Sequence, residues 1–475
     1  MNVRSNASDG RKHQMASRPY RFAIMTMVIV SLTFISSVGF CQNPPAEPGS
    51  GGIEIDPNGV LRSRTVIDQS GKLTRQRLNA AKRALNEEVQ TKSPMRKISL
   101  NRLEAEIKKL KASGQPIPEE MKYMAGLNRV SHVFYFPETK DIVLAGPAEG
   151  FFVNGNNRVV GMESGQATLQ LEDMIVALRA FGPESRPAGM ISCSIDPTQE
   201  GLQRMKVAMS EVQRNFRPGD ERQVVEMYKN ALGLQNVTVK GVSPNTHFAR
   251  VMVDADYHMK LMGIGLEKPP VRITSFIEKA KPNTVGKNSL QRWYFEPDYS
   301  YVKVSADETA MQLDGGGVKL VGEDERVSAQ GQRSGTGGMN RASQSFCRSF
   351  TKMYNSLSER NPLYAELRNL IDMSVAAAFI QEMDMYQDAG WNMEVFGSEE
   401  AYPVEKYSAP KHVEPAVNAV WKGNFFMTPI GGGVQFQPRV AISSKHMTVD
   451  EKGDVLAAKK ENQVGDLADG QWWWD

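Results

Sequence analysis

Asp254, Asp256 and His258 alternate along the chain, and Lys260 follows two residues on. In an extended segment alternate side chains share a face, so the three would project together and offer two carboxylates and an imidazole. Glu296 and Asp298 are further carboxylates within reach of such a group in a folded chain. Two chemistries suit the set. Asp254, Asp256 and His258 would ligate a metal, or Asp254, Asp256 and Glu296 would serve as catalytic acid and base. The competing arrangement is a helix through Met259, Leu261 and Met262, with Asp254 or Asp256 at its cap. A helix would scatter the three groups, and Lys260 would repel a cation.

A second chemical feature is charge. Residues 61–111 hold fourteen Lys/Arg against five Asp/Glu and no aromatic residue. A surface of that density suits phosphate, an anionic polysaccharide or lipid headgroups. Without aromatic side chains it has nothing on which bases would stack, so nucleic acid is not an expected partner. The alternative is a solvated face matched by acidic residues elsewhere, since 42–60 and 112–475 together carry about −10.

No phosphate loop, His-Glu-x-x-His pair or Gly-x-Ser-x-Gly elbow occurs. The glycines between 331 and 338 lack the lysine that a phosphate loop requires. No cofactor is evident. A carboxylate-dependent hydrolase leaves no local motif, so Asp254, Asp256 and Glu296 keep that class open. Three cysteines occur, at 41, 193 and 347. In an oxidising compartment Cys193 and Cys347 would be able to form one long-range disulfide; otherwise both are buried free thiols.

The elements that must position these groups follow an N-terminal segment of different character. Arg11, Lys12, Arg18 and Arg21 precede an uncharged run over 22–40. A basic flank before an apolar run is an export signature. Cleavage near Gly39 or Cys41 would release the rest of the chain, whereas an uncleaved run is just long enough to span a bilayer and anchor it. Met15 is an alternative start. Residues 42–52, rich in Pro and Gly, read as a linker.

Beyond it, the periodicity predicts helices through Leu78, Ala81, Leu85 and Val89, and through Leu100, Leu103, Ile107 and Leu110. A hairpin at 53–61 would turn on Pro57 and Gly59. Strands follow at 130–136, 142–145, 151–153 and 158–161, then a helix over 169–181. A buried strand at 191–195 leads to a helix capped by Asp196, with Pro197 at its first position and Leu202, Met205, Met209 and Val212 on its apolar face, then to a helix near 221–232 and strands near 236–241 and 248–254. A meander occupies 293–321. Low aliphatic content marks 326–341 as a linker, with helices at 343–359 and 361–383 beyond it. The tail 410–475 mixes short strands with a terminal Trp-Trp-Trp-Asp. The expected fold is α+β, with mixed or antiparallel sheets carrying helices on one face over 53–325. A smaller, mainly helical domain with short strands would occupy 342–475.

Five stretches carry a resemblance: Gly52-Ile-Glu-Ile-Asp56, Ile191 to Gly201, Val253 to Gly263, Arg292 to Pro297, and Gly317 to Glu325. Over about 52–325 the chain resembles the domain of unknown function 1598, which recurs in exported bacterial proteins. The resemblance implies export and one coherent domain, and it brings no catalytic residue. Taken together, these features favour a non-enzymatic exported protein, periplasmic or extracellular, with a structural or interaction role in the cell envelope. The alternatives are a secreted carboxylate-dependent hydrolase and an anion-binding module built on 61–111. An envelope protein or an anionic polymer is the expected kind of partner. Membrane contact is expected only through 22–40, if that run is uncleaved.

Overall fold

The Asp-Pro-Asn-Gly turn closes the first hairpin as its residues predict. Strand β1 (Gly52–Ile55) pairs antiparallel with β2 (Val60–Arg64). Between them the Asp56 carboxylate accepts the backbone N–H groups of Asn58 and Val60 at 2.9 and 3.0 Å. Gly59 sits at φ +80°, where a side chain would be strained. The computed structural model describes residues 52–475 apart from 65–67, 69, 187, 282–288, 329, 419, 423–424 and 428–432. The expected leader at 1–41 and nearly all of the expected linker at 42–52 lie outside the described residues. Among the described residues no helix is long and apolar enough to cross a membrane.

The remaining strands are β3 (Ser93–Ser99), β4 (His132–Phe136), β5 (Asp141–Ala148), β6 (Phe151–Val153), β7 (Val159–Gly161), β8 (Ile191–Asp196) and β9 (Gln235–Lys240). After them come β10 (Ser289–Val304), β11 (Ala310–Val327), β12 (Arg333–Gly335), β13 (His412–Val413), β14 (Val420–Lys422), β15 (Phe425–Met427), β16 (Gly433–Phe436), β17 (Met447–Val449) and β18 (Trp473–Trp474). Fourteen of them form one mixed sheet in the order β1-β2-β13-β9-β8-β16-β10-β11-β4-β5-β3-β18, with β12 on β11 and β17 on β10. The longer helices are α1 (Lys72–Ala84), α2 (Leu100–Ala112), α3 (Leu171–Ala180), α4 (Gln199–Asn215), α5 (Glu221–Leu232), α6 (His247–Gly263), α7 (Arg341–Arg360), α8 (Pro362–Glu382) and α9 (Asp454–Glu461). The fold is α+β, as expected.

Several local expectations are corrected. The strand expected near 248–254 is part of α6. Thr246 caps it by accepting the Ala249 N–H, and Phe248, Val251, Met252, Ala255, Met259 and Met262 recur at helical spacing and are buried. Thr198, not Asp196, caps α4, because Asp196 ends β8 and is drawn into ion pairs with Arg333 and Arg292. The expected meander is two long strands, β10 and β11, paired along nearly their whole length. The glycines at 315–317 form a bulge inside β11 rather than a turn between strands.

The largest correction concerns the boundary at 326–341. Within that span β12 pairs with β11, and Asn340 caps α7 while its amide holds Asp324. Beyond it, β16 inserts between β8 and β10, and β13 lies between β2 and β9. The described residues are therefore one compact unit, and 53–325 and 342–475 share one sheet and one core. Long-range strand pairing made this possible, and local composition carries no trace of it.

The core gathers on one face of β10. Trp293 and Phe295 alternate toward the helices, where Trp293 meets Phe346 at 4.8 Å and Phe295 meets Phe350 at 5.6 Å and Tyr364 at 6.1 Å between ring centres. Helices do not keep to one face throughout. On β4, Val133 and Tyr135 join this main core, whereas Phe134 and Phe136 join a second cluster with Val455 of α9 and Trp474. The terminal tryptophans thus pack on the body, and β18 covers the edge strand β3.

Gly263 marks a close helix-to-sheet approach. A Cβ there would lie 2.4 Å from Trp293 Cζ3 and 3.1 Å from Phe346 Cε1. Gly263→Ala in an ordinary helix position would stabilise slightly. Here we expect it to lower the unfolding free energy by roughly 1–3 kcal/mol through overpacking, measured by denaturant titration. An unchanged or higher stability would show that α6 does not seat on Trp293 this way.

Candidate functional site

Helix formation over 247–263 separates the alternating trio. Asp254 and His258 lie one turn apart and share a face, whereas Asp256 points elsewhere with Lys260, its own neighbour one turn on. Each of the two carboxylates therefore meets a different cation.

Asp254 lies in a buried cluster assembled from five places in the chain. Asn154 closes a turn by accepting the Asn156 and Arg158 N–H groups, at 2.9 and 3.0 Å, and this delivers Arg158 just ahead of β7. The Arg158 guanidinium, 5% exposed, donates to Asp254 and to Glu366 of α8. His258 Nε2 is 3.3 Å from the other Asp254 oxygen, and its Nδ1 contacts Glu267. Gly52 closes the cluster from β1. A Cβ at Gly52, whose φ is +109°, would lie 2.8 Å from Asp254 Oδ2 and 3.1 Å from Arg158 Nη2. Burial works against a charged His258 ring, but Asp254 and Glu267 outweigh it and hold its pKa up at about 10.

Arg158 occupies the position between Asp254 and Glu366 where a cation would have to sit. Among the described residues no group of three His, Cys, Asp or Glu side chains is arranged to hold a metal ion. Asp256 is fully buried, with Lys260 Nζ 2.9 Å from its carboxylate and also donating to the Ile195 carbonyl at 3.2 Å. Burial pushes the Asp256 carboxyl up to about 6, against the pull of Lys260. Glu296 belongs to neither arrangement. It stands one-third exposed on β10, 3.7 Å from Lys319 across the strand pair, and Asp298 lies opposite Gly317. The expected union of Asp254, Asp256, His258 and Glu296 is thus not formed, because helical twist and strand register send them to three places.

Cys193 and Cys347 are both free and buried, the second of the two arrangements open to them, and no disulfide joins them. Cys347 lies 3.8 Å from Met339 Sδ, and burial pushes its thiol up to about 12. Burial likewise pushes the Cys193 thiol well up, which leaves both sulfurs unreactive.

A second buried pair has no signature in the sequence. His247 Nδ1 and the Asp173 carboxylate, from helices α6 and α3, are 2.9 Å apart, and His247 Nε2 faces the Gln170 amide nitrogen at 3.4 Å. Burial opposes the imidazolium, but the facing Asp173 outweighs it and keeps the ring above its usual pKa. Beside this pair Tyr407 donates to Glu172 at 2.7 Å, and Arg250 lies over the Tyr407 ring. A cavity of about 390 Å³ opens nearby, between Val176, Arg179, Ser243, Thr246 and Glu405. The His247 ring is only 2% exposed, so it reaches no ligand in this conformation. Asp173 stands in the first turn of an amphipathic helix, where its charge is commonplace, and only folding brings it to His247.

Residues 193–276 match the family model described as Protein of unknown function (DUF1598). The matched span runs from β8 through α6, so it contains Asp254, Asp256, His258 and His247, while Gly52, Arg158, Asp173 and Glu366 lie outside it. No curated protein and no solved structure matches the chain.

The contacts of His258 imply a pH dependence of known sign. A ring whose pKa rises from 6.5 unfolded to about 10 folded stabilises fully below pH 6.5, and that contribution is lost as pH climbs through 10. Between pH 7 and 10 we expect the unfolding free energy to fall by on the order of 3 kcal/mol more in the wild type than in His258→Gln. Equal slopes for the two proteins in denaturant titrations would refute the charged His258.

Proposed function

We propose that this protein is a non-enzymatic structural or interaction module of the cell envelope. One observation carries the reading: each carboxylate that the sequence offers for catalysis already faces an internal cation. Asp254 has Arg158 and His258, Asp256 has Lys260, and Glu296 has Lys319. Buried pairs of this kind hold elements in register and lose several kcal/mol when one partner is removed. Export enters through the basic flank and the apolar run 22–40. A hydrolase working through Asp254, Asp256 and Glu296 would need them around one cleft, which their separate partners disfavour.

Fractionation of cells expressing the full chain, followed by protease treatment of spheroplasts, tests the placement. The protein should be digested from outside while cytoplasmic markers survive. A protected, cytoplasmic protein would sink the envelope assignment. Turnover assays on polysaccharide, ester and peptide substrates test the other half. Hydrolysis by the wild type that Asp254→Asn abolishes at unchanged Tm would make the protein an enzyme.

A second reading rests on α1. Elsewhere in 61–111 six cations form ion pairs: Arg62 with Glu414, Lys92 with Glu163, Arg96 with Asp475, Arg102 with Asp141, Lys108 with Glu394 and Lys109 with Glu106. Helix α1 is different. It has no acidic residue and no buried residue, and none of Lys72, Arg75, Arg77, Lys82 or Arg83 forms an ion pair among the described residues. Arg77 turns inward to the Asn154 carbonyl and Asn157, which leaves four cations facing solvent. This helix is the part of the basic segment suited to an anionic polymer. Retention of the full chain on heparin should fall to lower salt when Lys72, Arg75, Lys82 and Arg83 are all replaced by Gln. Unchanged elution would remove the reading.

A further inference from the structure

Arg368 is a buried cation without a hydrogen-bond or ion-pair partner among the described residues. It lies on α8, 7% exposed, and its Nε is fully enclosed without an acceptor. Asp372, one turn further along α8, is committed elsewhere. Its Oδ1 accepts from Tyr299 at 2.6 Å and its Oδ2 from Arg129 Nε at 2.9 Å. Arg129 comes close to Arg368 as well. A Cβ on Gly317 would lie 2.9 Å from Arg368 Cγ and 3.5 Å from Arg129 Nη2, so both side chains converge on that glycine. Burial and the neighbouring Arg129 disfavour charge on Arg368, and Asp372 offsets them only in part. An isolated buried guanidinium costs several kcal/mol unless something compensates it.

The backbone between the two arginines is opened by the β11 bulge. Gly315 pairs with Tyr299 and Gly317 with Asp298, which leaves Gly316 outside the ladder. Gly316 is only half-buried, and a Cβ there would meet nothing nearer than Asn355 Oδ1 at 3.8 Å. Asn355 is exposed, so this side of the bulge faces solvent. Bulges next to binding sites commonly re-aim the backbone in this way.

We propose that Arg368 and Arg129, together with the 315–317 bulge, bind a carboxylate group that enters past Gly316 and Asn355. Arg129 and Arg368 have Asp372 and, acting on Arg129, Asp314 near them, so a singly charged carboxylate is opposed less than a dianion would be. A phosphate dianion would add a second negative charge beside Asp372 and beside Asp314, which already acts on Arg129. A planar guanidinium also matches a planar carboxylate through two parallel hydrogen bonds. Gly317 is needed at φ +83° because any side chain there would displace the Arg368 stem.

Thermal denaturation of the full chain in sodium acetate, phosphate or chloride at equal ionic strength tests the site. Acetate should raise the wild-type Tm saturably by about 1–3 °C over chloride, and phosphate should do less. Arg368→Met should raise Tm in chloride, since it removes a charge only partly offset, and should abolish the acetate response. Gly316→Val fills the opening without touching either arginine, so it should hold Tm in chloride and also lose the response. Equal wild-type Tm in all three salts, or an acetate response retained in both variants, would overturn the site. A larger response to phosphate than to acetate would overturn the carboxylate assignment.

Discussion

Helix α8 is apolar almost all round, and the rest of the fold is organised by the need to cover it. Eighteen of its twenty-one residues are buried. A helix with no solvated face must be enclosed on every side, and its three charged central residues must then be dealt with in a dry interior. Glu366, Arg368 and Asp372 meet three different fates. Arg158 neutralises Glu366, Arg129 and Tyr299 satisfy Asp372, and Arg368 is left facing the bulge. The ion-pair cluster around Asp254 and the two-arginine site at Gly317 are thus two consequences of one buried helix.

This enclosure also explains why the chain does not divide where its composition changes. The strands that cover α8 and α6 come from both ends of the sequence, and β10 supplies the aromatic face, beside β11, on which α7 and α8 rest. A C-terminal segment that contributed only helices would leave the sheet open between β8 and β10. Strand β16 fills that gap with four residues, pairing antiparallel with β8 and parallel with β10. So short a strand has no periodic signal of its own, and its place is set by the two edges it joins.

The candidate site changes meaning for a similar reason. Alternating acidic residues invite a ligand reading when the segment is extended, but the same residues on a helix pair with cations one turn away or with distant chain segments. Lys260 was the local clue, being four residues from Asp256. Arg158 and Glu366 gave no such clue, since each is an ordinary charged residue in its own neighbourhood. Gly52, outside the span that matches the family model, lies against Asp254 and Arg158, where no side chain fits.

The amino-acid sequence alone determined the α+β class, the first hairpin with its Asp56 and Gly59, and the amphipathic helices α2, α4 and α5. Those features depend on residue periodicity, turn chemistry and capping, which act over a few neighbours. Tertiary structure alone decided that 248–254 is helical, that 326–341 is woven into the sheet, and that Cys193 and Cys347 stay apart as free thiols. It also decided that Arg158 sits between Asp254 and Glu366 and that Arg368 has no hydrogen-bond or ion-pair partner among the described residues. Each of these is settled by contacts between segments tens to hundreds of residues apart, and the free energy of such contacts has no local imprint in the chain.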